Sequence, residues 1–172
     1  VMSVMFARTN ASSIRLLNAA GFAVDAPRAQ GCCGALYAHS GQLEMARESA
    51  RRNIDAFGAE DLDAIVINAA GCGSTLKEYA HLLKDDPKYA ARARAFNDKV
   101  KDLTEFLDEH PLPNLAALSS DSLSTHAVTY HDACHLAHPQ GITRQPRDLV
   151  KEIAGDRFVE LPESDVCCGS AG

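Results

Sequence analysis

Six cysteines are the residues of this sequence best equipped for chemistry: Cys32, Cys33, Cys72, Cys134, Cys167 and Cys168. Thiolates bind metals, exchange electrons or attack carbon. Where no secretory leader precedes them, a cysteine set reads as metal-binding or redox-active more readily than as a disulfide framework. Four of the six form vicinal pairs, Cys32-Cys33 and Cys167-Cys168, each followed by glycine. Consecutive residues are awkward ligands for one tetrahedral zinc, because their chelate ring is strained and zinc pairs are ordinarily spaced by two or more residues. A multi-iron cluster relaxes that constraint, since adjacent thiolates can reach different irons. The residue types leave three readings open: an iron–sulfur site, a zinc site, and inert or vicinal-disulfide cysteines.

Neighbouring residues sharpen the picture. Gly34, Gly71, Gly73 and Gly169 flank the cysteines and are expected to let the backbone turn tightly and bring N–H groups to sulfur. His131, His135 and His138 surround Cys134, and the Cys134/His138 spacing suits zinc or a mixed cluster. The plainer expectation is that His131 and Asp132 orient the loop by hydrogen bonds while His135 and His138 face solvent or a partner. A Cys/His hydrolase would need a positioned base and oxyanion donors, which nothing in the sequence fixes. No Gly-x-Gly-x-x-Gly lies beside a strand, so a dinucleotide site is not expected.

The elements that must position these thiols follow from periodicity. A helix is expected from about Thr9 to Gly21 with Ile14 and Leu17 on one face, and a second from about Ser40 to Phe57 carrying Leu43, Ala46, Ala50, Ile54 and Phe57. Others start near Ser74 (Leu76, Tyr79, Ala80, Leu83), after Pro87 (Tyr89, Ala93, Phe96, Val100, Leu103, Leu107) and near Pro146 (Leu149, Val150, Ile153, closing at Gly155). Strands are expected at Phe22 to Ala26, Ala64 to Ile67, Ala127 to Tyr130 and Arg157 to Leu161. Alternation of strand and helix predicts an α/β fold with parallel strands, with the cysteines in loops at the strand C-terminal ends, where ligands gather in open sheets. Helices beginning beyond Gly34 and Gly73 would aim their N-termini at the thiolates.

The chain also repeats itself. Val24-x-x-Pro27-x-x-x-x-Cys32-Cys33-Gly34 matches Val159-x-x-Pro162-x-x-x-x-Cys167-Cys168-Gly169 at an offset of 135 residues. Two pseudo-repeated βα half-domains are expected, 1–110 and 125–172, joined by a Pro/Ser/Asn/Asp-rich linker at 111–124. Partners of Cys134 and Cys72 at the same offset would fall outside the chain, so a fragment is expected, with the upstream cysteine of the first repeat and the end of the second missing. Cys32, Cys33 and Cys72 would serve one site, and Cys134, Cys167 and Cys168 another.

Composition excludes several classes. The 172 residues carry 17 Lys plus Arg against 23 Asp plus Glu, a formal charge of −6, and are 46% apolar. These are ordinary values for a globular protein, and without a basic block they give no footprint for nucleic acid. No apolar run approaches the roughly 18 residues of a membrane span. Arg47, Arg51 and Arg52 read as a solvated helix face, with docking of an acidic partner subunit as the alternative.

The residues resemble a known family. Cys32-Cys33-Gly34 and Cys167-Cys168-Gly169, with Cys134 placed 33 residues before Cys167, are similar to the cysteine-rich CCG repeats of heterodisulfide reductases and their relatives. Several further blocks resemble the iron–sulfur subunit of bacterial glycolate oxidase: Gly31 to Leu36, Arg51-Arg52-Asn53-Ile54, Gly71-Cys72-Gly73 with Lys77-Glu78-Tyr79, Tyr130 to Leu136, and Leu161 to Asp165. Departures are that Thr75 stands where the wider family has the second cysteine of a C-x-x-C pair, and that the amino-terminal ferredoxin-like segment normal in that subunit is not in this sequence.

The resemblance implies an iron–sulfur electron-transfer subunit, with a cluster of the 4Fe–4S type, that relays electrons from flavin-bearing glycolate oxidase subunits toward a membrane quinone acceptor. Equivalent subunits serve lactate or glycerol 3-phosphate dehydrogenases. It further implies a cytoplasmic protein, held at the inner membrane face through its partners, with no residue touching the organic substrate. The rival class is a zinc-binding scaffold without redox activity.

Overall fold

Small and branched apolar residues at spacings of three and four draw the chain from Leu43 to Phe57 into a helix whose other faces carry the charges. In the computed structural model, which describes residues 2–58, 61–112, 126–167 and 169, Ala46, Ala50 and Ile54 are buried along one side of it, and Gly58 ends it at φ +50°. It is the fourth helix, α4, after α1 (Met2–Met5), α2 (Ala7–Ala19) and α3 (Ala35–His39). Beyond it come β1 (Ile65–Ile67), α5 (Ala70–Leu76), α6 (Tyr79–Leu82), α7 (Ala90–Lys99), β2 (Val100–Asp102), α8 (Leu103–Glu109), α9 (Cys134–Gln140), α10 (Arg144–Ala154) and a 3-10 turn at Gly155–Arg157. Helices dominate this α/β chain. Its described sheet is one parallel pair, β1 with β2, in the register Ile65↔Val100, Val66↔Lys101 and Ile67↔Asp102. Parallel neighbours require a long crossover, which α5, α6 and α7 provide.

Two compact units divide the chain, one of residues Ala23–Leu103 and one of Val1–Phe22 with Thr104–Gly172. In the Ala23–Leu103 unit the largest fully buried side chains are Tyr79, Phe96 and Leu83. Tyr79 stacks on Phe96 with centroids 5.4 Å apart, and Phe57 meets Phe96 edge-on at 5.9 Å. Ile54, Ile65, Val100 and Cys33 belong to the same core. Polar side chains tie its turns: Asn97 accepts from the Ala80 N–H at 3.3 Å and donates to the Lys77 carbonyl, and Arg51 joins Asp86 at 2.9 Å and Glu44 at 2.8 Å. In the other unit Phe22 lies edge-on to Phe106 and to His110, each at 4.8 Å. Leu17, Leu107, Leu136 and Ile142 are buried there.

Several elements differ from the expectation by periodicity. The helix after Pro87 does not run through to Leu107: it breaks at Val100–Asp102, which pairs with β1 before α8 begins. Val100, Phe96 and Leu107 are all buried, so the apolar spacing persists across the break although the backbone changes. The helix expected from Ser74 starts earlier, at Ala70, and is split in two at Lys77-Glu78. Phe22 to Ala26 forms no strand; Phe22 packs as a side chain, while Val24 is left 37% exposed. Ala127 to Tyr130 and Arg157 to Leu161 do meet in parallel, but only through the bridge Val128↔Phe158. Val128 donates to Arg157 O and Val159 to Val128 O, at 2.9 and 2.8 Å. Leu43 and Ile14, expected on apolar faces, are 46% and 39% exposed. Residues 113–124 of the expected linker lie outside the described residues, and Pro111 and Leu112 have no regular structure.

Phe96 is fully buried and touches the Tyr79 and Phe57 rings. Phe96→Ala is expected to lower unfolding free energy by roughly 3–5 kcal/mol, read as a lower denaturant midpoint at unchanged slope.

Candidate metal centre

The first three cysteines come from two places in the chain that the Ala23–Leu103 unit folds together. Cys32 and Cys33 end an extended loop and Gly34 starts α3 from a left-handed conformation, φ +84°. A Cβ at Gly34 would lie 3.0 Å from the Ser49 Cβ and 3.3 Å from the Ala46 backbone. Glycine is therefore required twice, for its dihedral and for the close approach of the cysteine loop to α4. Cys72 is the third residue of α5, inside the helix rather than in a loop before it, with half-buried Gly71 and buried Gly73 on either side. That placement corrects the expectation of a helix starting beyond Gly73, because the tight N-terminal turn begins at Ala70.

Thirty-nine residues apart in sequence, Cys33 and Cys72 are hydrogen-bonded thiol to thiol, with Cys32 near enough to act on both. The Cys33 hydrogen bond brings Cys72 down to about 7 against the opposing effect of burial, while the same contact and burial drive Cys33 far above an ordinary thiol. The contact thus favours the charged form at Cys72 over Cys33. The Ala35 N–H also donates to the Cys33 sulfur. Cys33 is buried and Cys32 exposed.

Two residues to which sequence reasoning assigned no role hold this loop. Asn53, buried in α4, accepts from the Gly31 N–H at 2.8 Å and donates to the Cys32 carbonyl at 3.1 Å and to the Tyr79 hydroxyl at 2.9 Å. The Tyr79 hydroxyl in turn donates to the Cys33 carbonyl at 2.8 Å. Burial raises the Tyr79 phenol, so it remains a donor across the accessible pH range. A signal for both lay in the sequence: Asn53 falls within the apolar stripe of α4, three residues past Ala50, and a core tyrosine needs a partner for its hydroxyl.

The remaining cysteines belong to the other unit. Cys134 opens α9, half-buried, with its sulfur 3.7 Å from His135 Nδ1; His131 and His138 are exposed. Cys167 is exposed and accepts from the Gly169 N–H at 3.4 Å, Gly169 standing at φ +73° as Gly34 does at its own pair. Cys168 lies outside the described residues. Asp132 is buried, 6% exposed, and receives Arg147 Nη2 at 2.5 Å and Ser164 Oγ at 2.9 Å on one oxygen. Its own N–H donates to the Ser164 carbonyl at 2.8 Å. Arg147 and Ser164 carried no expectation as clamp residues, since an arginine on a helix reads as solvated.

Thiols in contact, as Cys33 and Cys72 are, are the donor type that a thiophilic metal or cluster takes. Among the described residues no group of three or more His, Cys, Asp or Glu side chains lies close enough together to hold a metal ion.

Substitution and alkylation test this geometry. Asn53→Ala should cost roughly 2–4 kcal/mol and Tyr79→Phe about 1–2 kcal/mol of stability, measured by denaturant unfolding. Gly34→Ala should be destabilising by at least about 1 kcal/mol, since strain and a backbone contact add. In the metal-free chain, alkylation of Cys72 should show a pH midpoint of about 7, and Cys33→Ala should move that midpoint upward by removing the hydrogen-bond donor; unchanged midpoints would contradict the contact.

Comparison with known proteins agrees with the cysteine pattern. The CCG cysteine-rich domain family matches residues 1–77 and 128–172. The chain is 44% identical, over its whole length, to the probable glycolate oxidase iron-sulfur subunit of Bacillus subtilis, of which it spans 38%. It is 37% identical over 95% of its length to the glycolate oxidase iron-sulfur subunit of Escherichia coli, spanning 40% of that protein. It is also 32% identical over 94% of its length to lactate utilization protein A of B. subtilis, spanning 65% of it. The chain thus spans about two fifths of the glycolate oxidase subunits it matches. Both matched stretches contain a CCG triplet with its glycine in the left-handed conformation, and on that agreement of sequence and backbone the chain belongs to the cysteine-rich CCG domain family.

Proposed function

We propose that this chain is the cysteine-rich part of an iron–sulfur oxidoreductase subunit, relaying electrons within a flavin-dependent glycolate dehydrogenase assembly. The observation that carries the reading is the meeting of Cys33 with Cys72 beside Cys32, in a chain similar to proteins named as glycolate oxidase iron-sulfur subunits. Cys32, Cys33 and Cys72 would hold one cluster, and Cys134, Cys167 and Cys168 a second, each set in one of two repeats, 1–110 and 125–172. A bound iron–sulfur cluster, of the 4Fe–4S type, supplies reversible one-electron storage.

This chain's own residues have supporting tasks. Asn53 and Tyr79 fix the carbonyls of Cys32 and Cys33, so the two sulfurs leave the backbone in set directions. Burial of Cys33 keeps water from one side of the site. The Ala35 and Gly169 N–H groups donate to the sulfurs of Cys33 and Cys167, the kind of contact that stabilises negative charge on a thiolate and raises a cluster's potential. No residue is assigned to the organic substrate, which would be oxidised on a flavin-bearing partner subunit, with a membrane quinone as final acceptor. None of the described helices is long and apolar enough to cross a membrane; the place at the inner membrane face belongs to this proposal, with the partner subunits as its anchor.

Anaerobic reconstitution with iron and sulfide tests the reading. The expected result is a brown protein whose visible absorption bleaches on reduction, with acid-labile sulfide matching iron. Cys72→Ser should remove about half of both, if two sites load independently. Colourless protein that takes up zinc and no sulfide would replace the relay with a structural zinc module.

A further inference from the structure

Arg147 of α10 makes contacts that no other cation in its unit makes among the described interactions. Its Nη2 reaches Asp132 Oδ2 at 2.5 Å and Ser164 Oγ at 2.9 Å, and its Nη1 reaches Glu160 Oε2 at 2.6 Å. The guanidinium also lies over the Tyr130 ring, 5.6 Å from its centroid. One fork therefore grips two chain segments. Tyr130 and Asp132 lead into Cys134; Glu160 and Ser164 lead into Cys167. The segments are sewn together again by the Asp132 N–H on the Ser164 carbonyl and by Ser164 Oγ on Asp132 Oδ2.

The Arg147–Asp132 pair is well screened from solvent, with side chains 19% and 6% exposed. Asp132 Oδ1 is buried without a hydrogen-bond partner among the described residues. Removing the arginine would leave a buried carboxylate held only by a serine hydroxyl, an expensive state that the loop would relieve by opening. A lysine would keep the charge but has no planar fork to span Asp132, Ser164 and Glu160 at once. Glu160 is held independently by Lys151 at 2.6 Å, so the loss would fall on the Asp132 side of the clamp.

We propose that Arg147, acting through Asp132 and Ser164, is the positioning residue that sets the separation between the segments delivering Cys134 and Cys167, and so governs metal binding that uses these two thiols. This rests on the reading of Cys134 and Cys167 as ligands of one site, but not on the metal being iron.

The test uses cobalt(II), whose thiolate charge-transfer bands report how many sulfurs bind. In the reduced, metal-free chain, the part of the cobalt spectrum lost in Cys134→Ser defines the second set. Arg147→Met should weaken cobalt binding in that part by about 10- to 100-fold, leaving the remainder unchanged. Arg147→Lys should recover only part of the affinity. Ser164→Ala, the milder change, should weaken it several-fold and serves as the deciding variant if Arg147→Met does not fold by circular dichroism. Hydrogen exchange of the Asp132 amide should accelerate in parallel, while that of buried Ile142 does not. Equal cobalt affinity and band intensity in wild type and the folded variants would overturn the proposal, as would a spectrum with no component dependent on Cys134. Neither result depends on iron or sulfide content, so failure of the electron-relay reading is recognised separately, by a chain that binds cobalt through Cys134 yet assembles no iron with sulfide.

Discussion

Asn53 is 2% exposed, and its amide meets the Gly31 N–H, the Cys32 carbonyl and the Tyr79 hydroxyl. Each buried amide group left unpaired costs roughly 1–3 kcal/mol, so these bonds must form together. Forming them fixes the path of the loop that carries the vicinal cysteines. Tyr79 completes the arrangement by donating to the Cys33 carbonyl while its ring stacks on Phe96. The core of the Ala23–Leu103 unit and its thiol site consequently share residues: packing around Phe96 places the hydroxyl, and the hydroxyl places the cysteine backbone.

The two cysteine loops are secured by different chemistry. In the Ala23–Leu103 unit the clamp is neutral, an amide and a phenol acting on backbone groups beside buried Cys33. In the other unit it is charged, an arginine and a carboxylate with a serine between them, beside exposed Cys167. A neutral clamp adds no fixed charge next to thiolates whose own repulsion is already costly. A charged clamp is strong where it is buried, and Arg147 and Asp132 are both well covered. What the loops have in common is backbone: Gly34 and Gly169 both adopt positive φ, and at each site an amide N–H donates to a cysteine sulfur. The glycine after each vicinal pair therefore keeps a positive φ while the side chains that hold the described loops differ.

Much of this was legible in the residues. The burial of Ala46, Ala50 and Ile54, the helix stop at Gly58 and the parallel strand at Ile65–Ile67 follow from spacing and turn chemistry. Boundaries were less so. Val100 continues a helical apolar pattern from Phe96, yet Val100–Asp102 is a strand because β1 offers it a partner. Phe22 to Ala26 has strand-forming residues and no such partner, and it stays irregular. Strand formation is decided by a neighbour distant in sequence, which periodicity within a window cannot see. The roles of Asn53, Tyr79, Arg147 and Ser164 escaped for a similar reason: each acts on residues 13 to 46 positions away.

By itself the sequence determined the identity of the thiols, their duplication at an offset of 135 residues, the glycines that follow them and the family to which the chain belongs. Those properties are local, since a vicinal pair and a left-handed glycine need only their immediate neighbours. Tertiary structure alone decided that Cys33 meets Cys72 and that the contact favours the charged form at Cys72. It also decided that an arginine from a different helix joins the segments leading to Cys134 and Cys167. Contacts between distant residues exist only once the core has closed and the cost of ordering the loops has been met by burial and hydrogen bonding.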